Sequence, residues 1–319
     1  MHVKLNPVEK AEIITLADNY IDLTAADGSE MIKRAFPLEG NQFKHSILAE
    51  HGFSAVVRLS SGNRISAVLL DFGLSEDAAA RNAGSLNMDL AQVDAAVLSH
   101  GHIDHFGGVK KVGESIGKSG VDLVVHPSVF KPDRFISAGS GFRIMMPTPK
   151  EAEIEAAGFN IVKSTEPVAM LNETVLFLGE IPRLSEFEHG MLNAFFEKDG
   201  EEELDLIEDD TAIAMHVAGK GLIVLSGCAH SGIVNTVNHA REVTGISKVH
   251  AVMGGFHLTG PMFEPIIDDT IQALKDIDPD FVIPTHCTGR KAIQRFETEM
   301  PDAFVLNMSG TTLTFSADR

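Results

Sequence analysis

Ser99-His100-Gly101-His102-Ile103-Asp104-His105-Phe106-Gly107-Gly108 places four metal-ligating side chains within six residues. They follow the apolar run Ala95-Ala96-Val97-Leu98. A strand ending in such a loop can aim His100 and His102 at one cation and turn Asp104 and His105 toward a second. Imidazole nitrogen and carboxylate oxygen suit zinc, manganese or iron. A single histidine on an apolar face is ordinarily packed core, whereas four ligand types at this spacing point to a metal site. Asp104 is also the candidate catalytic group, because a carboxylate there can position a nucleophile or take its proton.

One loop cannot satisfy two metals, and three later apolar runs also end in histidine. The run at 222–225 leads into Ser226-Gly227-Cys228-Ala229-His230-Ser231-Gly232, that at 249–253 into Gly254-Gly255-Phe256-His257-Leu258, and that at 281–283 into Pro284-Thr285-His286-Cys287-Thr288-Gly289. Ligands collect at the carboxyl ends of strands in α/β sheets, so these loops are expected to converge on the first. His230 and His286 are the further ligand candidates. His257 reads either as a ligand or as a substrate contact, and Cys228 either as a thiolate ligand or as a small packed residue. His250, inside its strand, reads as structural, and His216 and His239 as core or surface residues. Asp71, at the end of another apolar run, is expected to accept the outer ring N–H of a metal-bound histidine, with turn capping as the alternative. Arg183, Arg290 and Lys291 are candidates for an anionic substrate. Arg290 and Lys291 open a helix after Thr288-Gly289, a position that favours phosphate, with plain surface solvation as the alternative.

These loops need elements to carry them. Strand-length apolar runs lie at 54–59, 65–70, 95–98, 123–125, 174–178, 212–217, 222–225, 249–253, 281–283 and 311–315. Helical patterns are expected at 7–17, 75–83, 107–116, 233–243, 266–276 and 290–300, with Gly84 stopping the second. Short antiparallel strands precede strand–helix units, which fits two packed sheets with helices outside. The less regular stretch 127–167 is a candidate lid or insertion. The acidic run 197–210 reads as a solvated loop, with Asp210 the exception because it abuts the next strand.

At 319 residues, 44% hydrophobic and 22% charged, the chain is large enough for a sizeable α/β core. Its net charge of −19 repels phosphate backbones, so a small molecule and not nucleic acid is the expected partner. No apolar run is long enough to span a bilayer, and Met1-His2-Val3-Lys4-Leu5 lacks the layout of a secretory leader. The two cysteines, Cys228 and Cys287, lie in histidine motifs and suggest no disulfide framework, so a reducing cytoplasm is expected. A homo-oligomer is left open.

The 100–108 motif with Asp71 resembles the metallo-β-lactamase superfamily. Gly179-Glu180-Ile181-Pro182-Arg183, Gly227-Cys228-Ala229-His230-Ser231-Gly232-Ile233-Val234-Asn235 and the two later histidine motifs are similar to the branch that includes dihydropterin–ribofuranosylaminobenzene phosphate synthases. The resemblance implies a four-layered αββα sandwich of the α/β (α+β) class, a single domain over 1–319, and one or two divalent ions (Zn, Mn, Fe or Mg). It also implies departures. Cys228 stands where many members carry Asp, and the intermediate histidine is not in its usual place; Glu180 or His189 lies in that stretch, and His230 is a spatial substitute. The implied function is a metal-dependent enzyme acting on a small phosphorylated or pterin-like substrate, by metal-activated water or metal-assisted diphosphate departure. The alternatives are a hydrolase of a lactone, thioester or phosphodiester, or a metal-containing sensor with little turnover.

Overall fold

The computed structural model describes residues 2–43, 46–139 and 141–317; Met1, Ser140 of the candidate lid and the last two residues of the expected domain lie outside them. The strands are β1 (Lys10–Ala17), β2 (Ile32–Lys33), β3 (Leu38–Glu39), β4 (Gln42–Phe43), β5 (Ser54–Ser61), β6 (Arg64–Leu70), β7 (Ala95–Leu98), β8 (Val121–Val125), β9 (Arg134–Ser137) and β10 (Arg143–Met145). They continue with β11 (Phe159–Lys163), β12 (Val168–Met170), β13 (Val175–Phe177), β14 (Ala194–Lys198), β15 (Glu201–Leu204), β16 (Ala212–Val217), β17 (Gly221–Ser226), β18 (Val249–Gly255), β19 (Phe281–Thr285) and β20 (Thr312–Ser316). The α-helices are α1 (Ala78–Ser85), α2 (Ile103–Phe106), α3 (Val109–Ile116), α4 (Glu151–Ala156), α5 (Ile233–Thr244), α6 (Ile267–Ile277) and α7 (Arg290–Glu299).

An eight-stranded sheet, ordered β11-β8-β7-β6-β5-β1-β20-β2, faces a six-stranded sheet ordered β12-β13-β16-β17-β18-β19. Ile13, Val57, Leu70 and Val97 of the first meet Met215, Ile223, Leu225 and Met253 of the second in a dry core. On the outer face of the first sheet, Leu69 and Leu98 pack with Ala79 and Ala83 of α1 and Val112 and Ile116 of α3. On that of the second, Leu222 and Val224 pack with Val237 of α5, Leu274 of α6 and Phe296 of α7. The layers are therefore αββα, because each sheet is apolar on both faces and each helix on one. Among the described residues, no helix is long and apolar enough to cross a membrane.

The pattern at 7–17 is a strand, not a helix. β1 is hydrogen-bonded between β5 and β20, and Ile13, Ile14 and Thr15 are buried. A central strand covered on both faces shows an apolar run instead of alternation, so hydrophobic period alone does not separate it from a helix. Gly84 sits within the last turn of α1 and does not stop it.

The stretches at 127–167 and 197–210 are also more ordered than their composition suggests. β9 and β10 from the first join β14 and β15 in a four-stranded sheet, ordered β10-β9-β14-β15, while β11 runs parallel to β8 in the main sheet. The acidic run is not one solvated loop. Glu201, Glu202 and Glu203 are exposed on β15, but Asp205, Asp209 and Asp210 are all buried. Asp205 accepts from Lys131 at 2.9 Å and lies in an ion pair 2.8 Å from Arg134 Nε, and Asp209 takes both terminal nitrogens of Arg134.

Candidate metal centre

The candidate residues gather at the carboxyl ends of β6, β7, β17, β18 and β19. β7 ends at Leu98, just before Ser99, and His102 caps α2, whose short run carries Asp104 and His105. The loop between is braced from the small sheet: Gly101 donates its N–H to Asp209 Oδ2 at 2.8 Å, and the buried Arg134 holds that carboxylate. A Cβ on Gly101 would fall 2.5 Å from Val129 O and 2.9 Å from Arg134 Nη1, so the approach requires glycine.

Asp71 sets the orientation of two rings at once. Its Oδ2 accepts the Nδ1–H of His105 at 2.6 Å and the Ser99 hydroxyl at 2.7 Å. Ser99 has one hydroxyl hydrogen, already given to Asp71, so its oxygen must accept from His100 Nδ1 at 3.0 Å. Both Nε2 atoms are thereby turned inward. Gly227 lets β17 close on this group, since a Cβ there would fall 2.1 Å from Ser99 Oγ.

His286 is fixed from the other side of the cleft. Its N–H donates to Asp18 Oδ1 at 2.9 Å, and its Nδ1 lies 3.2 Å from Asn19 Oδ1. Nε2 then lies 3.2 Å from Asp104 Oδ2 while remaining without a hydrogen-bond partner. Asp71, His257 and His286 all adopt left-handed φ, of 59°, 45° and 46°. Non-glycine residues held there mark a site that the surrounding fold over-determines.

Two donor sets result. Asp104, His105, Cys228 and His286 bring one ligand atom each within 4.8 Å of one another, and so do His100, Cys228 and His230. His102 flanks the second set, its ring centroid 4.6 Å from His100 and 4.8 Å from His230. The Nε2 atoms of His100 and His230 are 3.2 Å apart. Two nitrogens on one tetrahedral zinc lie about 3.3 Å apart, given Zn–N bonds of roughly 2.0–2.1 Å. The donors therefore fit divalent cations with a thiolate, Cys228, common to both sets.

The electrostatics agree only in part, because burial holds Cys228 well above the ordinary thiol range, so its thiolate would form only with a cation bound. Burial drives His100 and His230 well below the usual imidazole range, and His102 to about 4. Burial also lowers His105, but Asp71 and Asp104 outweigh it and raise the ring to about 9. With Nδ1 committed to Asp71, Nε2 lies 3.1 Å from Cys228 Sγ, where a cation would bind. Burial alone would raise Asp104; the neighbouring His105, foremost among the opposing groups, overcomes it and holds the carboxyl far below its ordinary range.

A sequence profile of the metallo-beta-lactamase superfamily matches residues 51–226. This chain belongs to that superfamily. It is 29% identical over 323 residues to a 7,8-dihydropterin-6-methyl-4-(beta-D-ribofuranosyl)-aminobenzene-5'-phosphate synthase of Methanocaldococcus jannaschii, covering 99% of this chain and 100% of the relative. An uncharacterized protein of the same organism is 30% identical over 263 residues, covering 81% of this chain and 91% of the relative. Among solved structures, a metal-dependent hydrolase of the β-lactamase superfamily superposes with a TM-score of 0.72 at 23% identity, covering 96% of this chain and 100% of that one. Unliganded yeast PDE1 superposes at 0.55 with 10% identity, covering 97% and 100%. These two likenesses speak to the metallo-β-lactamase fold alone.

Glu180 and His189, the expected alternatives for a further ligand, are both exposed and join none of the donor groups. His230 occupies the position opposite His100 instead. The His257 ring lies 4.3 Å from that of His230, inclined at 48°, and His257 forms a third group with Cys228 and Cys287. Arg183 reaches the Leu206 carbonyl and lies 3.4 Å from Ser231 Oγ, beside His230. Arg290 is exposed at the first position of α7, and Lys291 pairs with Glu264 at 2.6 Å. His250 pairs with Asp280 at 2.6 Å, His239 bonds Leu178 O at 3.0 Å, and His216 lies in β16; none joins the donor groups. Sequence reasoning missed Asp18, Asn19, His51 and Cys287. Reading β1 as a helix hid the Asp18-Asn19 pair, which is the loop at the end of a strand.

Proposed function

We propose that this chain is a divalent-metal-dependent enzyme acting on a small phosphorylated or pterin-like substrate. The observation that carries this reading is the pair of donor sets around Cys228, in a chain similar over nearly its whole length to a pterin-related synthase. His100, His102 and His230 would hold one cation and Asp104, His105 and His286 a second, with Cys228 between them. Such ions supply Lewis acidity that polarises a carbonyl or phosphoryl oxygen and neutralises charge developing on a departing diphosphate or an attacking oxygen.

The chain's own groups do the rest. Asp104 is ionised at neutral pH and can orient a nucleophile or receive its proton. Asp71 fixes the tautomers of His100 and His105. His257, beside His230, and Arg183, beside Ser231, line the approach for substrate, and Arg290 offers charge at the mouth of α7. The chain acts as one domain, with the small sheet as an insertion braced against the metal loop through Arg134 and Asp209. A reducing compartment would keep Cys228 available as a thiol.

Elemental analysis of metal-replete protein should give one to two equivalents of divalent metal, and none would overturn the reading. Condensation of a pterin substrate with release of diphosphate, lost in His102→Ala, identifies the synthase reaction. Phosphodiester hydrolysis, lost in the same variant and without condensation, identifies the hydrolase instead.

A further inference from the structure

His51 stands at the rim of the centre, its side chain 62% exposed, yet its ring is held in one orientation. The ring lies over His286, with centroids 4.9 Å apart and planes inclined at 31°. Asn19 Nδ2 lies 3.1 Å from His51 Nδ1 and 3.0 Å from the His286 carbonyl oxygen. A carbonyl only accepts, so the atom facing it is the amide NH2 and not the amide oxygen. Its second hydrogen is then directed at His51 Nδ1, which accepts, and the ring carries its hydrogen on Nε2. Asn19 Oδ1 meanwhile takes the Nδ1–H of His286. One amide thus sets two imidazoles in opposite senses. The buried His286 is left with an Nε2 lone pair, and the exposed His51 with an Nε2–H.

That Nε2 lies 3.8 Å from Asp104 Oδ2, too far for a hydrogen bond. Among the described residues, no hydrogen bond accounts for its hydrogen. A directed donor with no hydrogen-bond acceptor among the described residues, at the open side of the candidate cation ligands, fits a bound anionic oxygen.

We propose that His51 is a substrate-contacting residue that donates its Nε2–H to a phosphate or diphosphate oxygen seated beside Asp104 and His286. Asn19 acts through it as a positioning residue. The proposal rests on the metal-enzyme reading above and assigns the group that contacts the substrate's anionic end.

Titration calorimetry with inorganic diphosphate on the metal-loaded protein, together with metal content, tests it. His51→Phe keeps a ring over His286 but removes the donor. It should retain the full metal load and bind diphosphate about tenfold more weakly or worse, as expected for losing a hydrogen bond to a charged group. His51→Gln, which restores an N–H donor, should recover part of the loss. Equal diphosphate binding by wild type and His51→Phe overturns the assignment, as does loss of metal in His51→Phe, which would make His51 a ligand. A metal-loaded wild type that does not bind diphosphate also overturns it. A wild type that takes up no metal overturns the enzyme reading itself.

Discussion

The carboxylate of Asp71 accepts the Nδ1–H of His105 at 2.6 Å and, through the Ser99 hydroxyl, governs the tautomer of His100 as well. One buried side chain therefore orients a candidate ligand in each donor set. Asp71→Asn is the informative change, because asparagine tolerates the left-handed backbone found there. The variant should fold and bind divalent metal roughly 10- to 100-fold more weakly, measured by chelator competition. Unchanged affinity would mean that Asp71 merely caps its turn.

Cys228 belongs to all three candidate metal-binding groups, whereas Cys287 belongs only to the one with His257. Cys228→Ser should lose most of the bound metal on gel filtration, and Cys287→Ser should keep it. A shared thiolate favours zinc or iron, so Cys228→Asp should bind metal again with its preference moved toward manganese. Metal content and competition between zinc and manganese read out all three variants. Equal loss from the two serine variants would contradict the assignment of Cys228.

Arg134, 1% exposed, shares its charge balance between Asp209 and Asp205, and Asp209 also holds Gly101. Asp209→Ala leaves the buried guanidinium only its ion pair with Asp205 and frees the loop between His100 and His102. The expected cost is about 1–3 kcal/mol in urea denaturation. A cost below about 1 kcal/mol would show that solvent reaches the pair.

Glu188 gives a pH dependence. It is 3% exposed and accepts from Val234 N–H at 2.9 Å and Asn235 N–H at 2.8 Å at the start of α5. Burial nevertheless pushes its carboxyl up to about 7. The folded chain then holds a proton that the unfolded chain releases near the ordinary glutamate value of 4.5. This group's contribution to stability is complete below that value and is lost as pH rises to about 7. The stability of wild type relative to Glu188→Gln should therefore fall between pH 5 and pH 8, by on the order of 1–3 kcal/mol. A pH-independent difference between the two melting curves would refute the shift.

The histidine-bearing loops, the strands that carry them and the helices that follow were legible because each is local: an apolar run, a glycine-rich turn, then a helical period. The superfamily resemblance rested on the same local strings. β1 was misread because a strand buried on both faces has no alternation to report. That error concealed Asp18 and Asn19, which act on His286 from the opposite end of the chain.

Residue types and spacing by themselves determined that His100, His102, Asp104 and His105 are candidate cation ligands in one loop, and that His230 and His286 are candidates to complete the set. Only the tertiary structure decided that Cys228 lies between the two sets, that His230 stands opposite His100, and that Asn19 orients both His286 and His51. Sequence fixes which atoms are available and in what local order. Distances such as the 3.2 Å between His100 and His230 nitrogens depend on how two sheets pack, and packing is a property of the whole chain.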